Sequence, residues 1–400
     1  MSQDSGMLII GGGVASVSAA TELREQGYSG AVTLVTRELH PPYHRPPITK
    51  DLLRGDAPVG VVPDDWYAEH DVTLLTRSPV MTLDLEQRVA RLANKREVGY
   101  DKLLLATGAM VRRLPVEGAT LPGVHYLRAP LNAQHVREEL DGPRRVVLVG
   151  GSFVAVEAAA TLRALGHECT MVMLEDRCLA TSFGGEVAQH VDDLLRAKGV
   201  TIHHGGQVSS FLGDERVTAV ATSDGLEVPA DVVIVGVGAV PDTKLAHSAG
   251  LEIGASRGIL CDARLTTSDP HVFSAGDVCE YDSVLHGRHV RIEHERHAEA
   301  QGRTAARNML GHGVEHTELP YFWSDIADWT SLEYVGLAGD IDQEVVTGDR
   351  DGDFTVWQLS QGRVVGAVTR GRPEDLEEAR AVITEGAELP AQLATELARA

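Results

Sequence analysis

The feature that most constrains the fold is a glycine-rich turn near the start of the chain. An apolar run ends at Ile10 and leads directly into Gly11, Gly12 and Gly13, and an alanine-rich segment follows. In a dinucleotide-binding βαβ unit the first glycine makes the tight turn, and the second lets the backbone approach the pyrophosphate at the helix N-terminus. Gly11 and Gly13 occupy these two places, and Ser16 fills the third small position. One such turn is weak evidence by itself, because many βα loops contain glycine.

A second copy of the pattern strengthens the prediction. Residues 144–175 read RRVVLVGGSFVAVEAAATLRALGHECTMVMLE, in which Gly150 and Gly151 end a strand and Ser152 follows them. Glu175 ends the next strand, where a carboxylate accepts hydrogen bonds from a ribose 2′-OH but repels a 2′-phosphate. The chain is therefore predicted to be an α/β protein with two nucleotide-binding units, the second preferring NADH to NADPH. The alternative for Glu175 is a surface acid at the start of a loop.

Length and charge restrict the remaining possibilities. A chain of 400 residues accommodates two to three domains of about 150 residues, and 43% hydrophobic with 24% charged residues is ordinary for a globular protein. The formal charge of −22 disfavours nucleic-acid partners and anionic membranes. The longest apolar stretch, 146–162, is interrupted by Ser152 and Glu157, so no transmembrane helix is expected. No basic residue precedes the first apolar run, so a secretory signal is not expected and a cytoplasmic location is predicted.

The four cysteines, Cys169, Cys178, Cys261 and Cys279, are widely separated in the sequence. None belongs to a C-x-x-C pair or to a zinc-like arrangement. We therefore expect neither a disulfide framework nor a thioredoxin-type redox centre, and we interpret each cysteine as a small buried residue or a free thiol. The sequence contains no pattern that indicates a metal site.

Three further segments end a predicted buried strand at small residues. They are YDKLLLATGA at 100–109, ADVVIVGVGAVPDT at 230–243 and HVFSAGDVCEY at 271–281. The first and third are expected near a bound dinucleotide, and Asp277, after Gly276, is suited to accept a hydrogen bond from a ribityl or ribose hydroxyl. The segment at 230–243 suits a connection between domains.

In this order the segments resemble the flavoprotein reductases that bind two dinucleotides. The resemblance is to the ferredoxin, rubredoxin and putidaredoxin reductases and their relative apoptosis-inducing factor, and it covers almost the whole chain. The motifs that carry it are GGGVAS, PPYHRPPITKDLL, YDKLLLATGA, VGGSFVAVEAA, DVVIVGVGAVPDT, GILCDARLTTSDPHVFSAGDV, IEHERHAEAQGRTAARNML and YFWSDIADWTSLEYVG. It implies an α/β fold with two Rossmann-like, glutathione-reductase-like domains and a C-terminal α+β interface domain. The FAD-binding domain would span 1–112 and 240–320, the NAD-binding domain 113–239 and the interface domain 321–400.

The resemblance also assigns roles to individual residues. For FAD binding it implies Gly11, Gly13, Val14, Ala15, Glu38, Arg45, Lys50, Val80, Ala106, Thr107, Gly108, Arg128, Gly276, Asp277, Glu293, His294 and Trp323. For NAD binding it implies Gly150, Gly151, Ser152, Phe153, Val154, Glu157, Glu175, Gly236 and Gly238. The catalytic residues it implies are Lys50, Glu157 and Trp323. It places Lys50, paired with Glu157, beside the flavin N5 edge, where a cation stabilises negative charge on reduced flavin. The alternatives are a solvated lysine at a helix start for Lys50 and core positions for His294 and Trp323.

The segment PPYHRPPITKDLL separates this group from its disulfide-reducing relatives, which place reactive cysteines nearby. Tyr43, His44 and Arg45 stand there instead. We therefore expect electrons to pass from NADH through FAD, one at a time, to a ferredoxin-type iron–sulfur protein serving an oxygenase. An NADH oxidase or quinone reductase of the same fold is one alternative, and a redox-sensing interaction protein like apoptosis-inducing factor is another. The expected oligomeric state is a monomer or a homodimer.

Four positions depart from the family pattern. Ser152 places a Cβ where the pyrophosphate approaches the backbone, which would weaken NADH binding unless its hydroxyl donates a hydrogen bond in return. Arg37 stands where the family usually has an acid, so the neighbouring Glu38 is expected to bind the adenosine ribose of FAD. Glu295 and Ile326 replace a common tryptophan and a common glutamine, which leaves the electron acceptor open. Ser152 and Arg37 leave open a third alternative, a family member that retains flavin but has an altered nicotinamide site.

The segment 288–308 concentrates positive charge in an acidic chain, with Arg288, Arg291, Arg296, Arg303 and Arg307. One interpretation is a basic patch that docks an acidic ferredoxin, because complementary charge raises encounter rates. The other is an amphipathic helix whose arginines face solvent and pair with Glu295 and Glu299.

Overall fold

The computed structural model describes residues 6–337, 339 and 341–399. The strands among them are, in chain order, β1 (Met7–Ile10), β2 (Val32–Val35), β3 (Val72–Leu75), β4 (Val80–Asp84), β5 (Val89–Leu92), β6 (Glu97–Gly99), β7 (Lys102–Leu105), β8 (Ala109–Val111), β9 (Val124–His125), β10 (Arg145–Val149), β11 (Glu168–Val172), β12 (Thr201–His203), β13 (Val208–Leu212), β14 (Ala219–Thr222), β15 (Glu227–Pro229), β16 (Val232–Val235), β17 (Ala239–Pro241), β18 (Ile259–Cys261), β19 (Val272–Ser274), β20 (Cys279–Ser283), β21 (Arg288–Val290), β22 (Tyr321–Ile326), β23 (Thr330–Gly336), β24 (Gln343–Gly348), β25 (Phe354–Ser360) and β26 (Arg363–Arg370). The α-helices are α1 (Val14–Glu25), α2 (Asp51–Arg54), α3 (Trp66–Glu69), α4 (Pro130–Glu139), α5 (Phe153–Ala164), α6 (Ala180–Phe183), α7 (Gly185–Ala197), α8 (Lys244–Ser248), α9 (Glu295–Met309), α10 (Pro373–Glu385) and α11 (Ala391–Leu397), and a 3₁₀ helix spans Pro46–Thr49.

The chain divides into two compact units, each built from three separate segments. The first unit contains Met1–Arg45, Pro58–Met110 and Val240–Pro320. The second contains Pro46–Ala57, Val111–Ala239 and Tyr321–Ala400. The four domain segments predicted from the resemblance remain a prediction.

The first unit is built on a parallel sheet in which strand order is β19-β7-β1-β2-β3. Every residue of β1 is buried, as expected for a parallel strand covered on both faces. Helix α1 follows β1 and packs closely on α9: a Cβ added to Gly302 would lie 2.3 Å from the Ala15 carbonyl oxygen. Glu22 of α1 also accepts hydrogen bonds from Arg303 and Arg307 of α9. Strands β19, β7 and β1 are neighbours and run parallel, so their C-terminal ends lie at the same edge of the sheet.

Two smaller three-stranded sheets complete the first unit in the described residues. Strands β4, β5 and β6 form an antiparallel meander. In the other sheet, β20 pairs in parallel with β18 and antiparallel with β21. The buried carboxylate of Glu280 on β20 accepts hydrogen bonds from the backbone N–H groups of Ser256 and Gly258, which fixes the preceding loop.

The second unit contains a second parallel sheet with strand order β12-β11-β10-β16-β9. Strand β10 is buried from Val146 to Val149, and α5 follows it with a run of small buried side chains. A three-stranded antiparallel sheet, β13-β14-β15, lies in the same unit. Two parallel sheets, each with a glycine turn leading into a helix, confirm the predicted α/β class.

The C-terminal part of the second unit is an antiparallel sheet with strand order β22-β23-β26-β25-β24, followed by α10 and α11. Its core contains Trp357, 1% exposed, whose indole N–H donates to the Thr347 hydroxyl over 2.9 Å. This arrangement agrees with the predicted α+β character of the segment.

The described residues also bear on membrane and metal binding. None of the helices in 6–337 and 341–399 combines the length and the apolar character that crossing a bilayer requires. Within the same residues, no three histidine, cysteine or acidic side chains are grouped so that they could hold a metal ion. All four cysteines are free and buried.

Candidate functional site

The first glycine turn leaves open space at the N-terminus of α1. A Cβ added to Gly11 would lie 2.1 Å from the Ala106 carbonyl oxygen, and one added to Gly12 would lie 2.3 Å from the Thr36 hydroxyl oxygen. A Cβ added to Gly13 would meet no atom within 4 Å. Gly13 is the N-cap residue of α1, no side chain caps the helix, and its first turn contains no acidic residue. The free N–H groups and the helix dipole therefore suit an anionic group such as a diphosphate.

The Glu38 side chain lies beside this turn, three residues after the end of β2. Its carboxylate lies 3.5 Å from the position of a Gly12 Cβ. It accepts hydrogen bonds from the Tyr43 hydroxyl over 2.6 Å and from the Arg45 guanidinium over 2.5 Å. The departure at Arg37 has a local explanation, because its guanidinium forms a 2.7 Å ion pair with Asp242. Glu38, not Arg37, is thus the charged group beside the glycine turn.

The turn after β7 is hydrogen-bonded to the backbone of Asp242, the ion-pair partner of Arg37. The Thr107 hydroxyl donates to the Asp242 carbonyl oxygen over 2.7 Å, and the Asp242 N–H donates to the Gly108 carbonyl oxygen over 2.8 Å. The backbone after β7 is held in place by these bonds, next to Ala106, which contacts the first glycine turn.

A third turn, after β19, lies against the same helix start. Gly276 has φ +80°, and a Cβ added to it would lie 3.5 Å from the Ala15 Cβ and 3.6 Å from the Ala298 Cβ. Its N–H donates to the side-chain oxygen of Gln301 over 2.8 Å. The structure therefore brings together Gly276 and Ala15, both predicted from the resemblance to bind FAD, and adds Gln301, which the sequence reasoning missed.

The second glycine turn repeats the geometry in the other unit. Gly150 has φ +110°, and a Cβ there would lie 2.3 Å from the Gly236 carbonyl oxygen. A Cβ on Gly151 would lie 2.7 Å from the Met173 sulfur and 3.3 Å from a carboxylate oxygen of Glu175. The Glu175 carboxylate, three residues after the end of β11, therefore lies next to the turn, and its predicted bond to a ribose hydroxyl remains a prediction.

Ser152 does not point its hydroxyl toward the open side of this turn. It is the N-cap residue of α5, and its Oγ donates to the Gly236 carbonyl oxygen over 2.9 Å. A Cβ on Gly236 would lie 3.2 Å from the Val154 Cβ, so this strand end packs directly on the helix. Because the hydroxyl is already used, it does not offer the compensating hydrogen bond considered for Ser152.

A buried ion pair forms within the second unit. Lys50 Nζ lies 3.3 Å from a carboxylate oxygen of Glu157, which is 7% exposed. Glu157 also accepts hydrogen bonds from the Thr49 hydroxyl over 2.5 Å and from the Ser324 hydroxyl over 2.8 Å. Burial raises the pKa of the Glu157 carboxyl, although Lys50 and the two hydroxyls act in the opposite direction. The lysine is therefore held by a carboxylate whose own position is fixed by two further donors.

Asp325 supplies a second carboxylate to the same lysine. Its Oδ2 lies 3.4 Å from Lys50 Nζ, and its Oδ1 accepts a hydrogen bond from the Ser331 hydroxyl over 2.7 Å. The side chains of Ser324 and Asp325, consecutive on β22, thus hold Glu157 and Lys50. Sequence reasoning predicted the Lys50–Glu157 pair but missed Thr49, Ser324 and Asp325.

Comparison with known proteins identifies the family. The family model described as pyridine nucleotide-disulphide oxidoreductase matches residues 6–302, and the model described as reductase C-terminal matches 321–399. The chain belongs to the pyridine nucleotide-disulphide oxidoreductase family. The predicted resemblance to ferredoxin, rubredoxin and putidaredoxin reductases is confirmed, and the protein is an oxidoreductase of a family that uses FAD and NAD(P)H.

Individual relatives align over nearly the full length of this oxidoreductase. Rhodocoxin reductase of Rhodococcus erythropolis is 33% identical over an alignment that covers 94% of this chain and 89% of the rhodocoxin reductase chain. The crystal structure of a ferredoxin reductase from Rhodopseudomonas palustris is 33% identical, with a TM-score of 0.93 over 98% of this chain and 97% of that one. The crystal structure of a covalent complex of putidaredoxin reductase with putidaredoxin contains a chain that is 33% identical to this one. It superposes with a TM-score of 0.90 and covers 96% of this chain and 94% of that chain.

The first glycine turn of the oxidoreductase has room for a dinucleotide of the kind that its family uses. Gly11 and Gly150 admit no side chain, because a Cβ would collide with a neighbouring carbonyl oxygen. Gly13 faces open space at a helix start, where a diphosphate can approach the N–H groups. The binding of FAD at the first turn and of the nicotinamide nucleotide at the second remains a prediction.

Aromatic side chains surround the start of α5 in the oxidoreductase. The ring of Phe153 packs edge-on against Phe183 and Phe322, with centroid distances of 5.5 and 5.4 Å. Trp323, next to Phe322 on β22, lies 6.4 Å from the ring of Tyr321 and remains half-buried. Phe153 is thus partly engaged by the protein itself, and its predicted contact with the nicotinamide remains a prediction.

Glu295 has a defined role in the first unit. It accepts hydrogen bonds from His44 Nδ1 over 2.8 Å and from the Arg45 N–H over 3.2 Å. The position that departs from the family pattern therefore fixes the segment that contains Arg45, one of the predicted FAD-binding residues.

The arginines of segment 288–308 are largely paired with acids. Arg303 bonds Glu22 and Glu25, and Arg307 bonds Glu22. Arg296 pairs with Glu299, and Arg291 pairs with Glu293. The structure favours the paired interpretation over the docking patch. It corrects one partner, since Glu295 bonds His44 instead of an arginine.

The remaining predicted residues lie in both units. Val80 begins β4 in the first unit, and Arg128 precedes α4 in the second, where its N–H donates to the Asn132 side chain over 3.1 Å. Gly238 has φ +93°, which favours glycine. His294 is the N-cap residue of α9, and burial lowers its pKa to about 4, so it is neutral at pH 7.

Proposed function

We propose that the protein is a flavoprotein reductase that passes electrons from NADH through FAD to a ferredoxin-type iron–sulfur protein of an oxygenase system. The observation that carries the proposal is the burial of all four cysteines. Burial raises the thiol pKa of Cys169 to about 12 and also raises that of Cys178 and Cys261. A thiolate is the form that attacks a disulfide, so these thiols are poor relays to a disulfide substrate. Electrons are therefore expected to leave the flavin directly.

The relatives support the choice of acceptor. One solved neighbour is a complex of putidaredoxin reductase with putidaredoxin, and another is a ferredoxin reductase. The match extends through the C-terminal sheet and helices, residues 321–399. A ferredoxin-type partner is thus favoured over molecular oxygen or a quinone. Buried free thiols also agree with a reducing compartment, and we propose a cytoplasmic location.

The proposed site residues act in two groups. In the first unit, the turns containing Gly11, Gly13 and Gly276 bind the FAD diphosphate and ribityl chain, and Glu38 binds the adenosine ribose. In the second unit, the turn containing Gly150 binds the pyrophosphate of NADH. FAD held by the first group would supply the chemistry of hydride acceptance from NADH and of single-electron release.

Lys50 provides the cation that stabilises charge on the reduced cofactor. Its ammonium group is held between the carboxylates of Glu157 and Asp325, at 3.3 and 3.4 Å. Trp323, on the same strand as Asp325, is proposed to contact the nicotinamide. Glu157 is buried and bonded to two hydroxyls, so it fixes the lysine rather than binding solvent.

Glu175 determines the choice between NADH and NADPH in this proposal. Glu175→Gln is expected to raise the KM for NADH about 10-fold, because a hydrogen bond to a charged group contributes about 1.5–3 kcal/mol. The KM for NADPH is expected to fall, because the repulsion of the 2′-phosphate is removed. Steady-state kinetics with both nucleotides measure this effect. Glu227→Gln, an exposed acid on β15, is the control. An unchanged ratio of the two KM values in Glu175→Gln would show that Glu175 does not bind the ribose.

Gly13 tests the FAD turn without disturbing the protein. Gly13→Ala is expected to keep the free energy of unfolding of the FAD-free protein within about 0.5 kcal/mol, since its φ of −115° suits alanine and the Cβ meets no atom within 4 Å. The Kd for FAD is expected to rise about 10-fold or more, because the Cβ occupies the path of the diphosphate. Urea unfolding and FAD titration measure the two effects. Gly12→Ala is the contrast, since its Cβ would lie 2.3 Å from the Thr36 hydroxyl and destabilise the protein itself. FAD binding as tight as in the native protein would refute the placement of the diphosphate.

An anaerobic NADH titration of the FAD-loaded protein tests the whole proposal. Bleaching of the flavin absorbance near one equivalent would establish reduction by NADH, and turnover with ferredoxins, quinones and oxygen would then identify the acceptor. Faster turnover with a ferredoxin than with the other two is the expected result. A flavin that NADH does not bleach would overturn the proposal.

A further inference from the structure

Gln301 on α9 is a buried glutamine whose amide oxygen has a hydrogen-bond partner and whose amide nitrogen has none among the described residues. Its side chain is 1% exposed, and its Oε1 accepts a hydrogen bond from the Gly276 N–H over 2.8 Å. Because only the amide oxygen can accept this bond, the orientation of the amide is determined. Its Nε2 has no hydrogen-bond partner within residues 6–337, 339 and 341–399. A buried donor without an acceptor is unfavourable, so this atom calls for a partner that the described protein does not supply.

The surroundings of Gln301 place it at the first glycine turn. The Gly276 turn that it holds rests on Ala15, in the first turn of α1, and on Ala298 of α9, one helical turn before Gln301. Ser16, adjacent to Ala15, has a buried hydroxyl that also lacks a partner among the described residues. This hydroxyl lies 2.7 Å from the position that a Gly11 Cβ would take. The start of α1, where Gly13 faces open space, thus contains one unsatisfied polar atom, the Ser16 hydroxyl. Gln301, which has the other, is hydrogen-bonded to the Gly276 turn that rests on Ala15.

The sequence around Gln301 shows why a polar side chain here needs an explanation. The buried residues of α9 include the small residues Ala298, Gly302 and Ala305. A Cβ on Gly302 would lie 2.3 Å from the Ala15 carbonyl oxygen, so the two helices are in close contact. Glutamine is large and polar in this setting, and its single bond to Gly276 uses only one of its two polar ends.

We propose that Gln301 is an FAD-binding residue that acts through both ends of its amide. Its oxygen holds the Gly276 turn in place, and its Nε2 donates a hydrogen bond to an oxygen atom of the bound cofactor. This inference rests on the proposed function in one respect, namely that FAD occupies the turn formed by Gly11 and Gly13.

Two substitutions separate the roles of the two amide ends. Gln301→Glu keeps an oxygen for the Gly276 N–H but removes the donor, and Gln301→Met removes both ends at similar volume. The Kd for FAD is expected to rise at least about 10-fold in each variant, since a tenfold change corresponds to about 1.4 kcal/mol. The thermal unfolding midpoint of the FAD-free protein is expected to fall in Gln301→Met more than in Gln301→Glu, because only the former leaves the Gly276 N–H unpaired.

The control is Gln358→Met in the second unit. Gln358 is also a buried glutamine. Its Nε2 donates a hydrogen bond to the Phe183 carbonyl oxygen over 2.8 Å, and its Oε1 has no partner among the residues that the structure describes. This variant is expected to lower the unfolding midpoint and to leave the Kd for FAD within about twofold of the native value.

Each other outcome overturns the proposal. Native-like FAD binding in Gln301→Glu with weak binding in Gln301→Met would mean that Gln301 only positions the turn. Weak binding in Gln301→Glu alone would indicate charge repulsion instead of a lost donor. Native-like binding in both would remove Gln301 from the site. If the native protein itself did not bind FAD, the proposed function would fail first, so the two failures are distinguishable.

Discussion

Glu157→Ala is expected to lower NADH-dependent reduction of a ferredoxin by about 100-fold or more. The substitution leaves Lys50 with Asp325 alone and leaves the hydroxyls of Thr49 and Ser324 without their common acceptor. Removing one partner of a buried ion pair destabilises the folded protein by about 3–5 kcal/mol. A 100-fold loss of rate corresponds separately to about 2.7 kcal/mol of activation free energy, which we assign to the displaced Lys50 cation. The measurement is kcat under saturating NADH and ferredoxin, with FAD content and circular dichroism recorded for each variant.

Two further variants make this prediction specific. Glu157→Gln keeps the volume and one hydrogen-bond acceptor but removes the negative charge, so it should retain folding and still lose most of the rate. Glu175→Gln should change the KM for NADH with little change in kcat. An equal loss of kcat in Glu157→Ala and Glu175→Gln would refute the role assigned to Glu157.

The second large effect is a loss of stability in acid. Burial lowers the pKa of His294 and of His316 to about 4, and it lowers that of His297 well below the ordinary value of 6.5. His297 and His316 lie in contact, with ring centroids 4.9 Å apart, and Tyr281 packs on both. The unfolded chain binds protons on these histidines from about pH 6.5 downward, whereas the folded protein does not.

The sign of the effect follows from this difference. Below pH 6.5 the unfolded state holds more protons, so the free energy of unfolding decreases as the pH falls, by about 1.4 kcal/mol per pH unit for each histidine. For three histidines we expect a loss of about 4 kcal/mol per pH unit between pH 6 and pH 4.5. Urea unfolding of the FAD-free protein between pH 7.5 and pH 4.5 measures it.

Single substitutions assign the loss to this cluster. His316→Gln should reduce the slope of the unfolding free energy against pH by about 1.4 kcal/mol per pH unit, the contribution of one proton. The control, His289→Gln, changes an exposed histidine on β21 and should leave the slope unaltered. A native protein whose unfolding free energy did not change from pH 7.5 to pH 4.5 would contradict the burial of neutral histidines.

Several parts of the site could be predicted because they depend on local chain geometry. The glycines at 11 and 150 are required where a strand turns sharply into a helix, and each is recognisable from its own neighbours in the sequence. The Lys50–Glu157 pair was predictable only through the family resemblance, because 107 residues separate the two positions. The structure confirms the fold class and the family, and the binding roles of individual residues remain predictions.

Other residues could not have been found from the sequence alone. Thr49, Ser324 and Asp325 are ordinary polar residues, and only the packing of the 3₁₀ helix, α5 and β22 brings them to Glu157 and Lys50. For Arg303 the sequence left a docking patch and a paired, solvent-facing helix open, because its partner, Glu22, lies 281 positions away on α1. Gln301 lies in a helix of small and charged residues, and nothing nearby indicates that it holds a turn after β19.

The amino-acid sequence by itself determined the two glycine turns between a strand and a helix, the alternation of strands and helices, and the absence of cysteines from the segment PPYHRPPITKDLL. These properties depend on backbone conformation and residue type within about 30 residues, the length of one βαβ unit. The tertiary structure decided which charges are neutralised and which buried polar groups find partners. Hydrogen bonds and ion pairs act only over a few ångströms, so their partners are determined by which distant segments the fold brings together.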